Sequence, residues 1–296
     1  MQETVIWRFS DGRAGHDRQS LGLLNALREQ RPVAEYVVAV AAGYQPFRWW
    51  LQRVYPPGDV LPSPALLVGA GHASHAHLLA ARRARGGRSV VLMKPSLPRQ
   101  LFDLCLVPEH DGVCESANTL VTQGVLNTVR NAGEHRIDTG LIVVGGPSRH
   151  YHWNDAELLA QLRQLLLEHP LADWRLTTSP RTPAALLGAL ADLPGVDCRF
   201  YDDSKPDWLP EQLALAGEVW VTEDSVSMLY EALSSGARVG VLPVPRQRPN
   251  RITAGVDRLI SRCQVGVPGA WQAVAGSKLN EAARCAHWID EQWLSA

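Results

Sequence analysis

Two doubly wound α/β domains in tandem are what the sequence predicts, and three observations carry the prediction. The chain of 296 residues is long for one core and comfortable for two domains of about 140 residues each. Short apolar runs, often β-branched, alternate with amphipathic stretches of helical length in both halves, the pattern of βαβ units and a parallel sheet. Between the halves, residues 131–140 are polar and turn-rich and read as an interdomain link.

In the first half the apolar runs predict strands over 5–9, 35–40, 65–69, 89–93 and 103–107. Helical periodicity falls between them over 20–30, 46–54 and 73–85. In the second half strands are expected over 140–144, 174–178, 197–201, 218–221 and 239–242. Helices are expected over 155–169, 183–193, 210–216, 226–235 and 251–263, with a last amphipathic helix over 278–294. No glycine-spaced dinucleotide fingerprint appears, and there is no short repeat.

The composition narrows the class. With 46% apolar and 20% charged residues the chain is neither disordered nor fibrous. Its five cysteines are scattered and form no C-x-x-C pair, which argues against a disulfide framework and a zinc knuckle and fits a reducing compartment. No apolar stretch approaches 18 residues, and the start shows no basic segment followed by an apolar one, so a cytoplasmic location is expected. Residues 1–137 hold 15 Lys/Arg against 11 Asp/Glu, while the remainder holds 14 against 19. That asymmetry speaks to partners, and nothing in it calls for nucleic acid.

Ligands of open parallel sheets bind beyond the carboxyl ends of the strands. The residues that follow the predicted strands are therefore the informative ones. In the first half they are 10–16, 70–72, 94–98 and 108–112; in the second they are 145–149, 179–181, 202–205, 222–225 and 243–246. Nearly every one of these turns carries Gly, Ser, His or a charged residue, and two such rims would make a cleft between the domains. Asp11-Gly-Arg-Ala-Gly-His16 leads into a helix, with Gly12 and Gly15 allowing close backbone approach and helix amides favouring an anion. The plainer alternative is a turn with Ser20 as helix cap. Ser225 and Ser227 open another helix and could hold a diphosphate, with Glu231 two turns in and able to take ribose hydroxyls; equally, Asp224 or Ser225 only caps the helix and Glu231 faces solvent. His72, His75 and His77 do not share a helix face, and no carboxylate cluster accompanies them, so no metal site is expected. The segment Pro46-Phe-Arg-Trp-Trp-Leu51 reads either as a core helix or as an interfacial patch for an anionic lipid surface.

Several of these motifs together resemble one family. Asp11–Gln19, Met93-Lys-Pro-Ser-Leu-Pro98, Pro108-Glu-His-Asp111, Ser179-Pro-Arg-Thr-Pro183 and Val221-Thr-Glu-Asp-Ser-Val-Ser-Met228 are similar to segments of the bacterial and plant family named for elongated mitochondria. Its bacterial members are described as mitochondrial-fission-like proteins or nucleoside-diphosphate-sugar epimerases, and some are implicated in lipooligosaccharide assembly. The resemblance spans nearly the whole chain and implies the GT-B glycosyltransferase fold, two Rossmann-type domains facing a central cleft. Residues 222–243 also resemble the donor segment of GT-B enzymes such as the lipid-linked GlcNAc transferase of peptidoglycan synthesis, which implies a ribose contact for Glu231.

The expected function is thus metal-independent transfer from a nucleoside-diphosphate sugar, a substrate rather than a cofactor, to a lipid-linked or cell-envelope acceptor. Peripheral contact with the inner face of the membrane accompanies that expectation. The acceptor side would be residues 1–137, with Gly12, Arg13, Gly15, His72, Lys94, Ser96, His110 and Asp111, and with His16 or Asp11 as base. The nucleotide-sugar side would be residues 138–275, with Gly145, Gly146, Ser148, Arg149, Ser179, Arg181, Asp224, Ser225, Ser227 and Glu231, and residues 276–296 would return to the first domain. Two alternatives stand: a nonhydrolysing sugar-nucleotide epimerase, drawing on Glu109, Asp111, Asp202 and Asp224, and a non-catalytic binding or scaffold protein.

Overall fold

A computed structural model describes residues 3–40, 43–131, 133–170, 173–205, 207–271 and 275–295. The chain divides into two compact units, one running to Thr128 and resuming at Asn280, the other spanning Val129–Leu279.

Unit 1 contains β1 (Thr4–Ser10), α1 (Ala14–Arg28), β2 (Val33–Ala39), α2 (Gln45–Gln52), β3 (Leu66–Ala70), α3 (Ser74–Arg85), β4 (Arg88–Leu92), β5 (Leu104–Pro108) and β6 (Thr119–Thr122). The strands form one sheet in the order β2-β1-β3-β4-β5-β6, every neighbouring pair parallel. Strand alternation sends Ile6, Val68, Leu92 and Leu106 to one face and Trp7, Leu67, Val91 and Val107 to the other, so both faces need cover. The first face is covered by Leu23, Leu24 and Leu27 of α1 and by Cys285, Ala286 and Ile289 of α9 (Glu281–Ile289). The second is covered by Leu78, Ala80 and Ala81 of α3, together with Tyr55.

Unit 2 contains β7 (Arg136–Val144), α4 (Asp155–Glu168), β8 (Asp173–Thr178), α5 (Ala184–Ala191), β9 (Val196–Arg199), α6 (Trp208–Leu215), β10 (Ala216–Thr222), α7 (Val226–Ser235), β11 (Arg238–Leu242) and α8 (Arg251–Ser261). Its parallel sheet runs β11-β10-β7-β8-β9. Asn154 and Asn250 cap α4 and α8 through their side chains, the latter in a capping box with Thr253.

Three expectations are corrected. Helix α1 begins at Ala14 rather than Ser20, because Ser20 is buried inside it and bonds back to the carbonyls of His16 and Asp17. Residues 136–140 of the expected linker open β7; Arg136, Ile137 and Asp138 project as an exposed strand end, which hides the strand from a hydrophobicity reading. Ala132 of that linker lies outside the described residues. Strand β6 has no counterpart among the predicted strands, being a four-residue edge strand with a threonine at each end.

Candidate functional site

In each sheet the chain reverses its direction of strand addition once. From β1 the chain adds β2 on one side and β3 on the other; from β7 it adds β8 on one side and, later, β10 on the other. Loops diverge at such a switch point and leave a crevice at the strand ends. The two most pointed motifs of the sequence lie on the loops at these switch points.

In unit 1 the loop after β1 carries Asp11, Gly12 and Arg13, and the first turn of α1 carries His16. Asp11 Oδ2 lies 2.8 Å from His16 Nδ1, and Asp11 Oδ1 accepts the Arg13 amide at 3.2 Å. Gly12 makes the turn with φ +75°. Burial works against an Asp11 carboxylate, but the His16 bond, the Arg13 amide and the charges of both residues outweigh it and hold its pKa below the ordinary value. The His16 ring lies over Gly71, at the end of β3, where any side chain would collide with it. His16 Nε2 has no protein partner among the described residues. The turn itself is braced from below: Arg8 Nη1 bonds Asp17 at 2.7 Å, Ser10 Oγ bonds the same carboxylate at 2.9 Å, and Arg8 Nε bonds Glu35 at 2.6 Å.

The neighbouring strand ends add further polar groups. His72 and His75 share Ser96 Oγ at 2.7 and 3.2 Å. Burial, with the nearby His72 charge, lowers the His75 pKa to about 4, which favours the neutral ring. Met93 takes a left-handed backbone, φ +70°, immediately before Lys94, a strained conformation for a side-chain-bearing residue. The Lys94 ammonium lies 3.4 Å from the Asp111 carbonyl, and His110 sits beside it, half-buried. Gly15 lies in the first turn of α1 with open space around its Cα.

In unit 2 the turn after β7 meets the turn after β10. Gly145 donates to Thr222 Oγ1 at 2.7 Å and Gly146 to Asp224 Oδ2 at 3.0 Å. A Cβ at Gly145 would collide with Ser225 Oγ and the Asp224 carboxylate; one at Gly146 would collide with the Arg181 backbone. Arg181, from the loop after β8, reaches across with bonds to the Gly146 and Pro147 carbonyls, to Asp224 Oδ2 at 2.8 Å and to Ser225 Oγ at 3.0 Å. Ser179 stands behind it, accepting the Arg181 amide. Ser225 is the N-cap residue of α7, yet its hydroxyl makes no cap bond. The first-turn amides of α7 thus have no side-chain cap from Ser225. The Asp224 side chain is fully buried, and its Oδ1 has no partner among the described residues. Ser227 is exposed on the first turn and Glu231 half-buried on the second.

Gly145, Gly146, Ser179, Arg181, Asp224 and Ser225 are thus in mutual contact. Arg149 is not: it is exposed and, among the described residues, bonds only His150, and Ser148 accepts the His150 amide within the same loop. A second network adjoins this one and was missing from the sequence reading. Buried Glu223 takes Arg246 Nε at 2.5 Å and Tyr151 Oη at 3.4 Å, while Arg246 also pairs with Asp257 at 2.8 Å. Position 246 ends a predicted post-strand turn, the one signal that could have found it. Among the described residues no group of three or more His, Cys, Asp or Glu side chains is placed to hold a metal ion, and no helix is long and apolar enough to cross a membrane.

Two Rossmann-like parallel-sheet units with polar loops at their switch points define a protein of the GT-B fold. The likeness extends over whole chains of known structure. MurG of Acinetobacter baumannii matches with TM-score 0.56 and 13% identity, covering 98% of this chain and 100% of that one. The UDP-GlcNAc 2-epimerase of Neisseria meningitidis, solved with UDP-GlcNAc, matches with TM-score 0.54 and 10% identity, covering 100% of both chains. MnaA of S. aureus, solved with UDP, matches with TM-score 0.51 and 14% identity, covering 98% of this chain and 88% of that one. At such identities the likeness is one of fold. No curated protein matches the sequence significantly. The chain belongs to the mitochondrial fission ELM1 family, whose model matches residues 14–293.

Proposed function

We propose that this chain is a metal-independent, inverting glycosyltransferase that takes a sugar from a nucleoside diphosphate on unit 2 and passes it to a hydroxyl held on unit 1. The observation that carries the reading is the Asp11–His16 pair. In the neutral ring, an aspartate accepting from Nδ1–H leaves the Nε2 lone pair free to accept a proton, which is the requirement for a general base. His16 Nε2 takes the acceptor hydroxyl proton as its oxygen bonds the anomeric carbon and the bond from that carbon to the diphosphate breaks. The leaving diphosphate gathers the electron pair, and the α7 amides with Arg181, Ser225 and Ser227 offset its charge. Gly145 and Gly146, lacking side chains, let Asp224, Ser225 and Arg181 pack together beside it, Glu231 takes the ribose hydroxyls, and Arg149, from its exposed loop, closes on the phosphates. Lys94 and His72 orient the acceptor.

The buried carboxylates Glu223 and Asp224 favour one rival, a nonhydrolysing epimerase. Each is held by an arginine, Arg246 and Arg181 respectively, which suits a positioning role better than proton transfer at a sugar carbon. Mass spectrometry and NMR of reactions with a panel of nucleoside-diphosphate sugars separate the readings. Transfer requires an acceptor and survives EDTA. A new epimer formed without acceptor establishes the rival, and binding without turnover leaves a scaffold. Ser225→Ala should weaken nucleotide binding by about 1.5–3 kcal/mol, the usual value of a hydrogen bond to a charged group; unchanged calorimetric affinity rejects the donor assignment.

A further inference from the structure

Helix α2 buries one side and offers the other to solvent. Trp49 turns inward and packs edge-on to Tyr55, whose hydroxyl bonds His77 at 2.9 Å in the core. On the outer side Tyr44, Phe47 and Leu51, at helical spacing, are 90%, 56% and 57% exposed, and Val54 just past the helix end is 42% exposed. At about 100° per residue, Arg48 borders this stripe on one side and Trp50 on the other, with Trp49 opposite it. Ten large hydrophobic side chains are exposed among the described residues, and five of them fall within residues 44–60. The stripe is therefore a concentration of exposed apolar surface, not the usual scatter.

The charge around the stripe is of one sign. Between Glu35 and Asp103 the chain carries eight Lys or Arg residues and a single acid, Asp59. Arg85 takes that aspartate, and Arg82 takes Asp103. The Arg83 guanidinium of α3 lies 4.4 Å from the Trp50 ring centre. Arg48, Arg53 and Arg83 are exposed and have no carboxylate partner among the described residues, whereas Arg8, Arg28 and Arg31 of the same unit each pair with one. An outward apolar stripe bordered by unpaired arginines suits a helix lying in a membrane interface. Its apolar side chains enter the acyl boundary, and its guanidinium groups stay at the lipid phosphates. A symmetric contact with a second copy is disfavoured, because a two-fold axis would bring the same arginines face to face.

We infer that the α2 face of unit 1 docks on the surface of a bilayer rich in anionic lipid. Phe47 and Leu51 enter the interface, and Arg48, Arg53 and Arg83 meet phosphates. The contact is peripheral and reversible, since a short stripe with three cations falls far short of a spanning segment. The inference goes beyond the transfer reading and holds whichever chemistry the strand ends perform.

Cosedimentation of the full chain with vesicles tests it, comparing phosphatidylglycerol mixed with phosphatidylcholine against phosphatidylcholine alone, at low and high salt. Partitioning should be at least tenfold stronger on the anionic vesicles at low salt and should fall toward the phosphatidylcholine value at high salt. Arg48→Glu should weaken it at least tenfold, and so should Phe47→Ser combined with Leu51→Ser. Arg163→Glu, the same charge change on an exposed position of α4, should leave it within twofold. All four side chains are exposed; if the double serine variant still fails to fold, Leu51→Ser alone replaces it. No sedimentation with anionic vesicles at low salt overturns the inference. Equal losses in Arg48→Glu and Arg163→Glu also overturn it, because attraction then follows overall charge. Binding that the serine variants leave unchanged does the same, since nothing then enters the interface. Self-association of the vesicle-free chain that the serine variants abolish overturns it as well, a second copy then being what covers the stripe.

Discussion

Asp11 and His16 are five residues apart, yet they form one chemical unit because the chain turns at Gly12 and immediately enters α1. Asp11→Asn tests the unit more sharply than alanine does. An amide can donate to Nδ1, which would leave the proton on Nε2 and remove the base while keeping the shape. Turnover should fall by about 10²–10⁴-fold, the range of general-base contributions, with nucleotide affinity unchanged in calorimetry. His75 makes a second prediction, this time about stability. Its folded pKa of about 4 lies below the ordinary value, so below about pH 6.5 the unfolded chain binds a proton that the native chain does not. Stability should rise between pH 4 and 6.5, by about 3 kcal/mol at most for a shift of this size. Denaturation of His75→Gln across that range should show a flatter profile; an unchanged slope would assign the effect to other groups.

At the scale of elements, α7 depends on both of its ends. Its N-terminus is kept open because the Ser225 hydroxyl is engaged by Arg181 rather than by the helix amides. Its C-terminus closes at Gly236 with φ +93°, where a Cβ would also meet the Asn131 side chain. Gly236→Ala should cost about 1–2 kcal/mol from the left-handed backbone alone, read from the midpoint of a urea titration. Helix α7 coincides with its sequence expectation because Gly236 and the apolar spacing both mark it. The start of α1 was not legible, since Gly12, Gly15 and the charges around them read as a turn; only the packing of buried Ser20 and the Arg8–Asp17 pair draws that segment into the helix.

At the scale of the molecule, unit 1 is completed by the far end of the chain. Cys285, Ala286 and Ile289 are fully buried against Leu23, Leu27 and Val68, and Arg31 pairs with Asp290 at 3.1 Å. Ending the chain at Leu279 strips that face of β1 and β3. The loss should exceed the about 2–5 kcal/mol of one large core truncation. Hydrogen exchange should then show β1 and β3 amides losing protection; amides that stay protected would mean that α9 is dispensable.

The sequence by itself determined the class of element at nearly every position, the polar strand ends, and the family. Those features are local: strand and helix periodicity, turn residues and short motifs are written within a few neighbours of each residue. It could not say which of nine polar turns would meet, because strand order is set by long-range packing of both sheet faces. Only the tertiary structure put the turns after β1 and β3 at one switch point and those after β7 and β10 at the other. It likewise brought Arg181 to Asp224 and Ser225, 43 and 44 residues away, and drew Arg246 onto buried Glu223. The aromatic segment after Pro46 shows the same division. Its composition allowed either a core helix or an interfacial patch for an anionic lipid surface, and packing divided its side chains: Trp49 turned toward Tyr55, and Phe47 and Trp50 were left to line a groove with residues of α3 that no spacing in the sequence could link to them.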